Sequence, residues 1–191
     1  MGGNQNPAGP CGGLPNCVIV PGPAKLNPGE SRPFTIGEIE LARKFYPYVD
    51  YRRPKIFREK AYFFQPNNRA MAPDGNMYFH PEDPQYSDDF SLASPESQHT
   101  FIHEVGHISQ TQSGENVRSA AFDRDYVYWP LVEKTGFLGL NKEQRAEIVA
   151  DYFLLKMYNL QYPSLNKNGP APTLQDYERH VPAVYPNGNQ E

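Results

Sequence analysis

The chain has 191 residues, and its 20 Pro and 15 Gly are too few and too aperiodic for a collagen-like or low-complexity sequence, while 13 Tyr, 11 Phe and 1 Trp supply the apolar area that disordered chains lack. One compact domain is expected at this length, without a membrane span, because no run approaches about 18 apolar residues, and without a secretory signal, because Met1 to Asn6 lacks both a basic and an apolar region. A net charge of -4, with signs mixed along the chain, argues against a polyanion-binding surface, so no nucleic-acid partner is expected.

Residues 1–33 alternate Gly, Pro and Asn around one short apolar run and read as an arm or linker, leaving 34–191 as the folded domain. Cys11 and Cys17 lie in this arm, close enough to close a disulfide in an oxidising compartment or to stay free thiols. Thr35 and Glu38 have capping-box spacing, with Phe34 and Ile39 placed as a hydrophobic staple, and the periodicity predicts a helix over 36–46 that Pro47 ends. Between 48 and 93 the aromatic runs Ala61–Phe64 and Asn76–Phe79 read as short strands between turns. Ser94, Pro95 and Glu96 open a second helix that Gly114 stops. Asn141 and Gln144 open a third, reaching about residue 158, and a short helix is expected near 174–180.

The chemistry concentrates in His103-Glu104-Val105-Gly106-His107, inside the second helix. Positions i and i+4 share a helical face, so both imidazoles can take corners of one tetrahedral Zn2+ site. Glu104 then stands beside the open coordination position, where it can accept a proton from water. A catalytic zinc needs a third protein ligand, and no other histidine has a claim. The third helix places Glu147 and Asp151 at i and i+4 among Ala146, Ile148, Val149, Ala150 and Phe153, a costly position for carboxylates unless they are paired or metal-bound. Glu147 is the expected third ligand, and Asp151 the group that holds His103 through its other ring nitrogen. Glu143, in the first turn, is read as an acid favoured by the helix dipole.

This pattern resembles the gluzincin group of zinc metallopeptidases, which implies two His and one Glu as ligands of one ion and the motif Glu as base. A longer series is similar to the metallopeptidase domains found as C-terminal extensions of VgrG spike proteins of bacterial type VI secretion. It comprises Gly75–Pro81, Tyr86–Ser91, Gln98–Ile102 leading into the histidine motif, and Glu143–Phe153. That resemblance implies a delivered effector exported without a signal peptide, a spike-protein carrier, an immunity protein, and action on a peptide or protein in the target-cell periplasm.

Three further expectations complete the site. Asn76, Met77 and Tyr78 stand where an edge strand could dock an extended substrate. A second proton carrier is sought among His180, Tyr126, Tyr128, Tyr152 and Tyr177, with His180 first because its chain end must fold back. His99, four residues before His103, is read as a polar surface residue. The fold expected is an α+β zincin-like domain, with a small mixed sheet over the helix of His103 and His107 and the helix of Glu147 crossing it. Hydrolysis of peptide bonds is the expected activity. A zinc-stabilised binding module and a cell-wall amidase are the alternatives.

Overall fold

The computed structural model describes residues 25–118, 125–161 and 171–181. Cys11 and Cys17 lie outside the described residues. The architecture is α+β, with three short strands and five α-helices among the described residues. Strands β1 (Ser31–Pro33), β2 (Lys55–Phe57) and β3 (Met77–Tyr78) form one mixed sheet in that order. β1 pairs antiparallel to β2 with Arg32 opposite Ile56, and β2 pairs parallel to β3 with Ile56 opposite Met77. The sheet thus begins within the segment read as an arm.

Helix α1 (Ile36–Arg43) starts at the expected Thr35 and Glu38 capping box. Glu38 does more than cap. Its fully buried carboxylate takes two hydrogen bonds from Arg32 of β1, at 2.8 and 2.7 Å, and a third from the Phe90 amide at 2.9 Å. A buried charge of this kind is tolerable only when its oxygens are filled, and here the filling joins the sheet, α1 and the short 3-10 turn at Phe90–Leu92.

α2 (Pro95–Gln112) is capped by Ser94 with Pro95 in the first turn, and α4 (Lys142–Tyr158) by the Asn141 and Gln144 box, both as the sequence predicts. Between them lie α3 (Leu131–Thr135) and a 3-10 turn at Phe137–Gly139, neither marked by periodicity. α5 (Leu174–His180) packs on α4. The core is aromatic: Phe34, Phe101, Phe90 and Phe79 form a chain of ring contacts at 5.4, 5.2 and 5.0 Å, and Phe45 meets Tyr152 and Phe153 edge-on. The first series of rings joins the residues flanking β1 and β3 to α2, and Phe45 brings the end of α1 onto α4, which packs along α2.

Ala61–Phe64 is a turn rather than a strand. Three adjacent aromatics lack the alternation that gives a strand one buried face, and Gln65 Oε1 accepts from the Ala61 amide at 2.7 Å, so Phe63 is left 90% exposed.

Candidate metal centre and its cleft

The middle of α2 is buried on every side, since Phe101 to Gln110 have both the sheet and α4 against them. His103 and His107 leave this core toward an open cleft, which Glu104, Glu143, Glu147, Tyr126, His99 and the chain from Asn68 to Pro73 also line.

Each ring is anchored from behind. His107 Nδ1 lies 3.0 Å from Gln110 Oε1, and Gln110 Nε2 donates to the Lys142 carbonyl at the start of α4 at 2.9 Å. His103 Nδ1 lies 2.7 Å from Glu147 Oε2. With both Nδ1 atoms turned to acceptors, each ring directs Nε2 to the same atom: Glu143 Oε2 is 3.1 Å from His103 Nε2 and 3.3 Å from His107 Nε2. Two ring nitrogens whose protons are committed elsewhere and one carboxylate oxygen are all acceptors. Only a cation can hold them together, either a proton or a metal ion.

The electrostatics express that need. Although burial opposes a charge on His103, its contacts with Glu143 and Glu147 hold the imidazole well above its ordinary pKa. Burial likewise opposes ionisation of Glu143, yet hydrogen bonds with His103 and His107 pull it down to about 2. Two imidazoles and a carboxylate, with ligand atoms all within 4.8 Å of one another, suit a zinc-type ion.

Glu104 is 5% exposed, and its Oε2 has no hydrogen-bond partner among the described residues. Burial raises its pKa against the pull of His107 and His103. Above it Arg69 donates to the Tyr126 hydroxyl at 2.9 Å and reaches to 3.6 Å from Glu143 Oε1. The Tyr126 ring stands 6.0 Å from that of His103, and burial, reinforced by Glu143, raises the pKa of its phenol. Asp151 accepts from the Tyr128 hydroxyl at 2.6 Å and pairs with His99 Nε2 at 3.0 Å.

The structure thus brings His103, Glu104 and His107 together as the motif predicts. It differs from the sequence reading by one turn of α4, because Glu143 occupies the point between the two Nε2 atoms while Glu147 holds the far side of His103. Asp151 holds His99 instead of His103. His99 is no surface residue, with 12% of its side chain exposed. His180 lies against Trp129 at 6.0 Å between ring centroids and does not line the cleft. Tyr128 and Tyr177 are buried under Asp151, and Tyr152 pairs with Lys156.

The segment Asn76–Tyr78 also lies away from the cleft. Met77 is fully buried, Tyr78 stacks on Phe57, and Asn76 accepts from the Lys55 amide. β3 is covered on both edges, by β2 and by a bridge to Met71. Arg69, Ala70 and Ala72 border the cleft in its place. Gln65–Asn68 reads as a turn, and no sequence signal marks Arg69 to Ala72 as a cleft wall.

In an alignment of 135 positions that covers 65% of this chain and 13% of the relative, the chain is 36% identical to the type VI secretion system spike protein VgrG2b of Pseudomonas aeruginosa. Among solved structures, the effector domain of Pseudomonas aeruginosa VgrG2b matches with a TM-score of 0.57 at 30% identity, covering 74% of this chain and 82% of that one. No family model matches the chain.

Proposed function

The chain belongs to the family of the VgrG2b effector domain, and from that membership together with the site's geometry we propose that it is a zinc-dependent peptide-bond hydrolase delivered by type VI secretion. One observation carries the reading: His103 Nε2, His107 Nε2 and Glu143 Oε2 converge as three acceptors beside a buried glutamate whose Oε2 is left without a partner among the described residues.

His103, His107 and Glu143 would hold the ion, with Glu147 and Gln110 fixing the two rings from behind. Zinc on three protein ligands supplies Lewis acidity toward a carbonyl oxygen and lowers the pKa of a coordinated water. Glu104 is the proton acceptor. Its residue lines the cleft, and burial, against the pull of His107 and His103, raises its pKa above the ordinary carboxylate value. Tyr126 is the second proton carrier. Its oxygen accepts from Arg69, which leaves its own hydrogen to be donated to a carbonyl oxygen in the cleft.

An extended peptide would lie along Ala70–Ala72. Met71 N and O both pair with Tyr78, so the amides and carbonyls of Ala70 and Ala72 face the other way, where the cleft runs. Carriage by a VgrG spike, an immunity protein that blocks the cleft, and action in a target-cell periplasm belong to the same proposal. Among the described residues, no helix is long and apolar enough to cross a membrane.

The test is metal content and casein cleavage for the wild-type chain, His103→Ala and Glu104→Gln. Zinc is expected in the wild type and in Glu104→Gln but not in His103→Ala, and cleavage in the wild type alone. Equal zinc in His103→Ala and wild type would overturn the reading, as would undiminished cleavage by Glu104→Gln.

A further inference from the structure

α2 and α4 face one another with two ladders at one-turn spacing, His99, His103 and His107 on one and Glu143, Glu147 and Asp151 on the other. The register is antiparallel. His107 meets Glu143, His103 meets Glu143 and Glu147, and His99 meets Glu147 and Asp151. The proposed zinc site uses His103, His107 and Glu143. One turn along, the same helices present a second triplet.

We propose that His99 Nε2, Glu147 Oε1 and Asp151 Oδ1 form a second site for a divalent transition-metal cation, opening on the same cleft. The three ligand atoms lie within 4.8 Å of one another. His99 Nε2 is 3.0 Å from Asp151 Oδ1 and 3.9 Å from Glu147 Oε1. A tetrahedral ion with bonds of about 2.0–2.2 Å sets its ligand atoms roughly 3.3–3.6 Å apart, so the two distances bracket what such an ion requires. One imidazole with two carboxylates is a donor set that zinc and its neighbours in the first row accept.

A separate observation points the same way. Glu147 is 8% exposed, and while its Oε2 is engaged with His103, its Oε1 is turned toward His99 at a distance too long for a hydrogen bond. That oxygen is held within reach of an ion on His99, on a residue that borders the cleft. The remaining ligand atoms are already oriented. Asp151 Oδ2 is taken by the Tyr128 hydroxyl, itself backed by Tyr177, which leaves Oδ1 for the site. Charge supports it as well: an ion on His103, His107 and Glu143 leaves the Glu147 and Asp151 carboxylates with His99 as their nearest counter-group. The competing arrangement is a protonated His99 bridging the two carboxylates, which takes up no second ion.

The experiment is titration of the chelator-treated full chain with Co2+, counting bound metal by mass spectrometry and following the visible Co2+ absorption. Two equivalents are expected for the wild type. One is expected for His99→Gln and one for the double variant His103→Ala, His107→Ala, each showing a wild-type far-ultraviolet circular dichroism spectrum. Where His99→Gln fails to fold, Asp151→Asn, which keeps the side chain's shape, takes its place. A wild-type stoichiometry of one that persists in His99→Gln or Asp151→Asn overturns the proposal. A stoichiometry of one that persists in the double variant instead upholds this site and overturns the reading of the first.

Discussion

Glu147 Oε2 lies 2.7 Å from His103 Nδ1, on the ring edge opposite the one that faces Glu143. The two glutamates, four residues apart on α4, therefore act on one imidazole from its two nitrogens. The first shares the point where the ring's lone pair is directed, and the second fixes the tautomer that directs it. Their substitutions separate accordingly. Glu143→Gln removes a ligand and should lower zinc affinity by more than about 100-fold, whereas Glu147→Gln keeps an acceptor on Nδ1 and should cost roughly 10-fold to 100-fold. Competition with a chromophoric chelator ranks the two. A larger loss in Glu147→Gln would mean that the ligand is the residue the sequence singles out.

Tyr126 and Arg69 give a second separation. Tyr126→Phe removes the donated hydrogen without touching any metal-facing group and should lower kcat by roughly 100-fold or more with metal content unchanged. Arg69→Met leaves the hydroxyl but not its orientation, and should lower kcat less. Steady-state kinetics on a quenched-fluorescence peptide checks both. A Tyr126→Phe variant changed only in KM would make the phenol a binding group and not a proton carrier.

Much of this molecule was legible in the sequence, for a local reason. Caps at Thr35, Ser94 and Asn141 are contacts within four residues, and each helix they open is present, as is the short helix expected near 174–180. The i, i+4 pair of the histidine motif is local in the same sense. Which carboxylate meets it is not, because the relative slide of α2 and α4 is set by packing across their interface. A slide of one turn exchanges Glu143 for Glu147 without changing any periodicity. An apolar neighbourhood marked Glu147 and Asp151 as buried, but the structure shows burial to be common to the whole ladder, Glu143 included. Arg69 escaped notice because nothing within its own segment distinguishes it, its partner Tyr126 being 57 residues away.

The ionisation of the metal-free cluster sets a pH profile whose sign comes from the two shifts. Against burial, His103 and His107 hold Glu143 at about 2 in place of 4.5. A depressed carboxylate stabilises the fold above about 4.5 and loses that contribution as pH falls toward 2, a change on the order of 3 kcal/mol. Against burial, Glu143 and Glu147 raise His103 above 6.5, so its contribution is complete below that value and is lost as pH rises beyond it. Both limbs report the same contacts and are not summed. The chelator-treated chain should therefore have its highest Tm near pH ~5.5, between the two limbs. Zinc should shift Tm increasingly from there to about pH 8, because its ligands must give up their protons. Differential scanning calorimetry with and without zinc measures this. A metal-free Tm that holds level between about pH 5.5 and 8 would remove the His103 contacts as its source.

Gly106, inside the histidine motif, lies at a close approach of α2 to α4. A Cβ there would stand 2.6 Å from the Tyr46 hydroxyl oxygen, 3.0 Å from Ala146 Cβ and 3.2 Å from Ala146 Cα. Tyr46 could swing its end away, but Ala146 Cα belongs to the backbone of α4 and moves only with the helix. Gly106→Ala gains about 1 kcal/mol of helix propensity and loses about 1–3 kcal/mol to overpacking, so a net fall in Tm is expected. The displaced helix carries Glu143 and Glu147, which flank Ala146, away from the histidines, so zinc affinity should fall with stability although no ligand is altered. Removing the opposing methyl tests the cause. In the double variant Gly106→Ala, Ala146→Gly, the nearest side-chain atom of α4 is gone, and part of the zinc affinity should return even though a helical glycine costs stability by itself. A double variant that binds zinc no better than Gly106→Ala would show that something other than the approach of the two helices couples this glycine to the site.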